Sequence, residues 1–523
     1  MDTPNVPIEA SSPHKQAWYA SGAAIVLYIA AAKLVLHLLT ASRYGYFGDE
    51  LYHLACGEHL DWGYVDQPPA IALVAWVVRH TLGDSLLAVR FIPALSGAAL
   101  VWLTGVLTRE FGGGRFAQML AALAAACAGI YLIMNYLFTM NAWEPLIWMG
   151  CAYFVIRIIK TGNQRLWLWF GALAGLGLEN KYSMGVFGFG VVVGLLLTPE
   201  RKALAQKWIW LGGAIALLIF LPNLIWNIRH DWPFLELMRN IRASGRDIIV
   251  GPVEYIARQI LMMNFAAFPI WLVGLLYFFF GREGKKYRVL GWAFVTVLTT
   301  FIVLHGKDYY ATPVYPMLLA GGSVAIESWI AQRKLAWLKP VMVVTLLAVA
   351  IVTLPLFLPV LSPENFLRYQ EKLPFGLPAS ERGHLSAAFP HHYAWQFGWP
   401  EMVEAVARVY NSLPPEERAK TAIFGNNFAE AGAIDLLGPK YGLPKTIGGH
   451  QSYWLWGPRD YTGEIVIVLG DTAEGARQWF NSVEVAAELH HPYARPQENR
   501  PVLLCRGLKW PLKDVWARVK DWD

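Results

Sequence analysis

Nucleotide fingerprints are missing from this chain: its glycines form neither a GxGxxG turn nor a P-loop. No nucleotide site is therefore assigned. Cysteine is scarce, four in 523 residues, which excludes a disulfide-dense scaffold. Cys127 and Cys151 fall inside apolar runs, and Cys56 and Cys505 fall on one side of the topology described below, which leaves a single disulfide between them open. His53, His59, His230 and His305 stand at no metal-ligand spacing, so no cofactor is required, although a divalent metal bridging Asp66 and a histidine stays open. Neither a repeat of fixed period nor a low-complexity segment is present. Charged residues are few, 16% of the chain.

What fills the chain instead is apolar: 55% hydrophobic residues and 14% aromatics, with a mean hydropathy of +0.35. That composition specifies a polytopic α-helical membrane protein. Eleven apolar runs read as spans, at 16–40, 86–108, 115–136, 141–160, 165–179, 183–198, 208–226, 254–280, 289–304, 312–330 and 340–361. The fifth and sixth are short, and suit a kinked or re-entrant pair around "ENKYS".

Lys and Arg set the orientation. They concentrate in alternate connections, as in Arg157, Lys160 and Arg165, or Arg282, Lys285, Lys286 and Arg288, which places those connections and the N-terminus in the cytoplasm. The first span is too long for a secretory signal and lacks a small-residue cleavage site, so it reads as an uncleaved anchor. The net charge of +6 thus reports orientation, and no nucleic-acid partner follows from it.

After residue 361 the texture changes. "EMVEAVARVYNSL" and "TAEGARQWF" carry helical spacing, while "KTAIFGNNF", "EIVIVLG", "VEVAAEL" and "RPVLLCRGL" read as strands. A transmembrane domain over 1–361, with an external loop at 41–85, is therefore expected to precede an extracytoplasmic α/β domain over 362–523. In "WPLKDVWARVKDW", Trp516, Val519 and Trp522 suit either an interfacial helix or packing on that domain.

Ionisable groups collect on the outer side. The stretch "GYFGDELYHLACGEHLDWGYVDQPP" follows the first span directly and carries Asp49, Glu50 and Asp66 among Tyr44, Tyr46, Tyr52, Trp62 and Tyr64. A solvated connector is the plain reading of such a loop, but carboxylates at the membrane surface also suit a general base acting beside lipid-borne substrates. "GLENKYSMG" puts Glu179 and Lys181 at the turn of the short spans, as an internal pair or as functional groups. "WNIRHDWPFLELMRNIRASGR" holds Arg229, His230, Asp231, Arg239, Arg242 and Arg246 outside, against the orientation bias, which suits lipid headgroups or an anionic ligand. "HGKDYYATPVYP" combines Lys307, Tyr309 and Tyr310, a phosphate contact and two aromatics at the mouth of a span, where an interfacial belt would look the same.

In "FGDELYHLACG" with "DQPP", "YLFTMNAWEPLIW", "GLENKYSMG" and "HGKDYYATPVYPMLLAGG", the membrane portion resembles the bacterial branch of the dolichyl-phosphate-mannose protein mannosyltransferase superfamily, membrane glycosyltransferases of the GT-C fold that include the lipid A aminoarabinose transferases. "FGNNFAEAGAIDLLGPKYG" and "GHQSYWLWGP" are similar to the C-terminal domain of bacterial members. The resemblance implies that Asp49, with Glu50 beside it, acts on the acceptor, and that Asp66, Lys181, Lys307 and Tyr310 bind substrate, with Tyr309, Arg229 and His230 as further candidates. Two departures stand out: Gln67 replaces the lysine that aminoarabinose transferases carry before the double proline, and Asn141 stands where many relatives have aspartate.

The implied activity moves a sugar from a polyprenyl-phosphate donor to an extracytoplasmic acceptor (a lipid, a glycan or a protein) at the bacterial inner membrane, with inversion and with Asp49 as base. A transporter or flippase of lipid-linked sugars is the alternative, with the same charges lining a path. No inverted repeat supports it, and the polar candidates gather at one face.

Overall fold

The computed structural model describes residues 18–245, 248–373 and 387–523; Arg246 lies outside them. Among the described residues, seven helices are long and apolar enough to cross a bilayer: Gly22–Thr40 (α1), Leu86–Glu110, Met140–Thr161, Lys207–Arg229, Lys285–Val303, Asp308–Arg333 and Leu338–Phe357. Two bent pairs raise the number to nine. Eleven runs are expected from sequence; seven to nine helices reach that length and apolarity among the described residues, and shorter apolar helices form at some of the other runs. The run at 183–198 ends in a bend of 111° before Pro199–Ala205, and that at 254–280 breaks by 100° between Pro252–Met262 and Phe265–Phe280. The run at 165–179 forms the helix Leu166–Asn180, which is only 15 residues long. The run at 115–136 stops at Ala126 and resumes as Gly129–Met134.

Breaks inside an apolar layer need internal partners, because lipid offers none to a freed carbonyl. At the 127–128 break they come from distant side chains. Asn264 Nδ2 donates to the carbonyls of Cys127 and Leu346, both at 3.3 Å, and Lys33 Nζ donates to Tyr131 O at 3.1 Å. The His37 ring sits 3.2 Å from Leu132 O. At the start of the same helix the Glu327 carboxylate accepts from the N–H groups of Gly114, Phe116 and Ala117 at 2.6–3.1 Å, a cap supplied from another helix.

Residues 41–85 are helical rather than a simple loop. They form α2 (Gly48–Glu58) and α3 (Ala70–Thr81) before Ser85 caps α4 (Leu86–Glu110) by accepting from Ala88 N at 3.2 Å. Deeper in the bundle, Leu166–Asn180 lies directly on Lys207–Arg229: a Cβ on Gly171 would stand 2.0 Å from Gly212 O, so only glycine admits this approach. This contact sets the depth of the turn that carries Lys181.

The α/β part contains a five-stranded sheet of order β2-β1-β3-β5-β4, from β1 (Thr421–Gly425), β2 (Ile447–Gly448), β3 (Ile465–Leu469), β4 (Phe480–Ala487) and β5 (Val502–Leu508). β1 pairs parallel with β2 and β3, and β5 antiparallel with β3 and β4. The four strands read from sequence are β1, β3, β4 and β5; the two-residue β2 was too short to signal itself. The helix Phe428–Leu437 packs on α2 so closely that a Cβ on Gly432 would meet the Leu51 backbone at 2.8 Å. Trp516 and Trp522 are 8% and 4% exposed, Trp516 against the sheet and Trp522 against Val65, Leu237 and Ile241, so the closing segment packs on protein.

All four cysteines are free and buried, which corrects the open Cys56–Cys505 pairing. Cys505 is paired in β5 opposite Val466 and Val483, whereas Cys56 lies on α2 in a separate apolar cluster. Adding a reductant is accordingly expected to leave the thermal unfolding midpoint unchanged in detergent; a drop of several degrees would contradict the fold.

Candidate functional site

Glu50, expected beside Asp49 as a catalytic acid, is buried and engaged in the scaffold in this structure. It is 0% exposed, and its carboxylate is full: Oε1 accepts from Arg90 Nε at 2.9 Å and Phe138 N at 2.8 Å, Oε2 from Arg90 Nη2 at 2.7 Å and Phe47 N at 2.8 Å. Arg90, itself 1% exposed, also donates to Ala41 O and Gly45 O, both at 2.8 Å, and to Gln396 Oε1 at 3.3 Å. One ion pair thus ties α2 and α4 to the turn after α1, the Phe138 turn and the α/β part. It fixes the first turn of α2.

Asp49 occupies that first turn and is half-buried. The positive end of the helix favours a carboxylate there. Asp66 comes back beside it from the α2–α3 connection, near enough for the Asp49 charge to raise its proton affinity. Burial is the main cause that pushes the Asp66 carboxyl up to about 6; His53 and the Tyr52 hydroxyl, which donates to Asp66 Oδ1 at 2.9 Å, pull the other way. His53 is 2% exposed, with Nδ1 3.1 Å from Phe138 O, and burial holds its pKa below the usual histidine value. Gln67 is fully buried, and its Nε2 reaches Cys56 Sγ at 3.8 Å while its side chain also neighbours His53.

Lys181 lies in the turn after Leu166–Asn180, where the backbone becomes extended. Its ammonium donates to Asn141 Oδ1 at 2.7 Å and to Glu144 Oε2 at 3.1 Å, and stands 4.4 Å from the Tyr310 ring centroid and 5.6 Å from that of Tyr309. So "GLENKYSMG", "MNAWEP" and "HGKDYY" converge on one cation, and Asn141 serves as its neutral acceptor. The Glu179–Lys181 pairing does not occur: Glu179 is 9% exposed and neither carboxylate oxygen has a hydrogen-bond partner. The neighbouring Tyr182 donates to Asn223 Oδ1 at 3.2 Å and lies within electrostatic reach of Asp66.

Lys307, half-buried, lines a crevice with His305, Asp308 and Arg258. Arg258 bonds Asp308 at 3.0 Å and Glu254 at 2.8 Å, and no motif announced it. Arg229 and His230 join neither group. Arg229 is exposed, and His230 stacks on Trp226 with centroids 4.1 Å apart while Nδ1 lies 2.8 Å from the Trp226 carbonyl of its own helix. Sequence reasoning also passed over Tyr52, Tyr182 and Ser452. Only the aromatic density of the loop hinted at Tyr52, and Ser452 carries no local signal. Among the described residues no group of three or more His, Cys, Asp or Glu is arranged to hold a metal.

Over residues 66–226 the chain matches the family model of dolichyl-phosphate-mannose-protein mannosyltransferases. It is 24% identical over 328 residues to lipid A galacturonosyltransferase RgtD of Rhizobium johnstonii, a stretch covering 60% of this chain and 66% of that relative, just under two thirds of its length. Its fold is similar to the crystal structure of ArnT from Cupriavidus metallidurans in the apo state, with a TM-score of 0.58 at 15% identity over 92% of this chain and 97% of that one. It is also similar to the apo oligosaccharyltransferase of Archaeoglobus fulgidus, with a TM-score of 0.50 at 12% identity over 81% of this chain and 64% of that one. At those identities the two solved structures speak to fold. No transporter stands among these relatives, so the flippase alternative gains nothing from them.

Proposed function

We propose that this multi-pass chain is a membrane glycosyltransferase of the GT-C mannosyltransferase-like superfamily that takes its sugar from a polyprenyl-phosphate donor, a reading supported by the family match over residues 66–226, the RgtD relative and the ArnT-like fold. One observation carries this reading: Asp49, in the first turn of the helix just beyond the first span, and Asp66, in the connection after that helix, lie within electrostatic reach of each other, and Asp66 within reach of the turn that holds Lys181 under Tyr309 and Tyr310. Asp49 accepts the proton of the acceptor hydroxyl as that oxygen bonds to the anomeric carbon. The bond from the same carbon to the phosphate oxygen breaks on the opposite face, which inverts the centre. The polyprenyl phosphate that leaves gains negative charge, and Lys181, with Lys307 at the crevice rim, is the cation that receives it.

The N-terminus is assigned to the cytoplasm, and the site and the α/β part to the outer face of the bacterial cytoplasmic membrane, on the distribution of Lys and Arg. The acceptor is a lipid, a glycan or a protein exposed there; RgtD, by its name, acts on lipid A.

The test is transfer of radiolabel from a panel of polyprenyl-phosphate sugars by the purified protein in lipid, with membrane extract as the acceptor source. Turnover with one donor supports the reading, and none with any donor overturns it. Lys181→Gln is expected to lower kcat/KM for the active donor by about 10- to 100-fold, the loss of one charge-assisted contact. An unchanged value would remove Lys181 from the phosphate site.

A further inference from the structure

Tyr52 connects two parts of the chain that are 400 residues apart in sequence. Its hydroxyl oxygen lies 2.9 Å from Asp66 Oδ1 and 2.7 Å from Ser452 Oγ, and it accepts from Ser452 N at 3.3 Å. Ser452 is 0% exposed, and its own Oγ accepts from Val65 N at 3.2 Å, next to Asp66 in sequence. Tyr52 is 1% exposed, and its ring packs 4.7 Å from that of Phe428. The phenol has one proton to share between two neighbours. An ionised carboxylate only accepts, so with Asp66 charged the phenol donates to Asp66 and the serine hydroxyl donates to the phenol. With Asp66 protonated the chain of donors runs the other way, ending on Ser452 Oγ.

The loop bearing Ser452 is built rather than incidental. Gln451 holds φ at +49° with ψ at −134°, a conformation costly for a side chain larger than hydrogen. It is pinned by Gln451 N donating to Asp521 O at 3.0 Å, Asp521 N donating to Gly449 O at 2.9 Å, and Trp522 Nε1 donating to Gln451 O at 3.2 Å. Asn240 Nδ2 in turn donates to Trp522 O at 2.7 Å.

We propose that Ser452 is a positioning residue of the transfer site: through its hydroxyl and its backbone N–H it aims the Tyr52 proton at Asp66, so that the α/β part of the chain completes the carboxylate pair. This rests on the transferase reading above. The groups facing Asp66 are Asp49, Tyr52, His53 and Cys56 from α2 and Tyr182 from the turn beside it. Of these, Tyr52 hydrogen-bonds Ser452.

The test is an infrared pH titration of the Asp66 carboxyl band in lipid, the band being assigned by its loss in Asp66→Asn. Ser452→Ala removes the donor to the phenol, weakens the phenol's donation to the carboxylate, and is expected to raise the titration midpoint by about one pH unit. Ser452→Cys keeps the side chain's outline but donates weakly, and gives the same reading if Ser452→Ala does not fold. In turnover, kcat is expected to fall about 10-fold with the donor KM within a factor of two. An unmoved midpoint overturns the proposal even if activity falls, because that result describes a purely structural serine. Absence of sugar transfer by the wild-type protein overturns the transferase reading alone, since the infrared titration needs no turnover.

Discussion

Asp49→Asn is expected to bind the donor and not transfer it, with kcat reduced by about 10²- to 10⁴-fold. The amide keeps the size and hydrogen-bonding reach of the carboxylate but does not accept the acceptor's proton at neutral pH. Because Glu50 holds the first turn of α2 through Arg90 and two backbone N–H groups, the substitution at Asp49 leaves the helix where it is. Asp66 does not take over as base, because its Oδ1 is already engaged by the Tyr52 hydroxyl. Donor binding by equilibrium dialysis, paired with single-turnover transfer, separates the two effects. A variant that retains more than a tenth of wild-type turnover would remove Asp49 from the base role.

Arg90→Met is expected to unfold the protein or to lower its stability by about 3–5 kcal/mol, the cost of leaving one member of a buried ion pair alone. The partner left behind is Glu50, 0% exposed, with two backbone donors but no countercharge. Arg90 also holds carbonyls of Ala41 and Gly45, so the turn between α1 and α2 loosens at the same time. Replacing both partners together, Glu50→Gln with Arg90→Met, is expected to recover part of the loss, because no buried charge then remains unpaired. Thermal unfolding in one detergent reads both variants, and a single variant as stable as wild type would show that the pair does not hold the site.

The sequence by itself determined the class of protein and the order of its parts. Apolar runs long enough to cross a bilayer are a one-dimensional signal, because each helix satisfies its own backbone within one continuous segment. The strands β1, β3, β4 and β5 were legible for a similar reason: each is a short run bounded by polar residues, most of it apolar. The polar motifs also marked Asp49, Asp66, Lys181, Tyr309 and Tyr310, since ionisable and aromatic groups stand out against an apolar chain.

Tertiary structure decided what those groups do. Adjacent in sequence, Asp49 and Glu50 point to different fates because one helical step, about 100°, turns Glu50 into Arg90 and leaves Asp49 at the surface of the junction. Lys181 was as readable as Glu179, yet its carboxylate partner is Glu144, brought in from another helix, and Glu179 has no hydrogen-bond partner. The breaks near residues 127 and 263 were hidden because their stabilising partners, Lys33, His37 and Asn264, come from helices distant in the chain or from the break itself. Ser452 shows the same limit most plainly. A buried hydroxyl has no composition or spacing that announces it, and its role exists only because the fold sets it against a tyrosine 400 residues away.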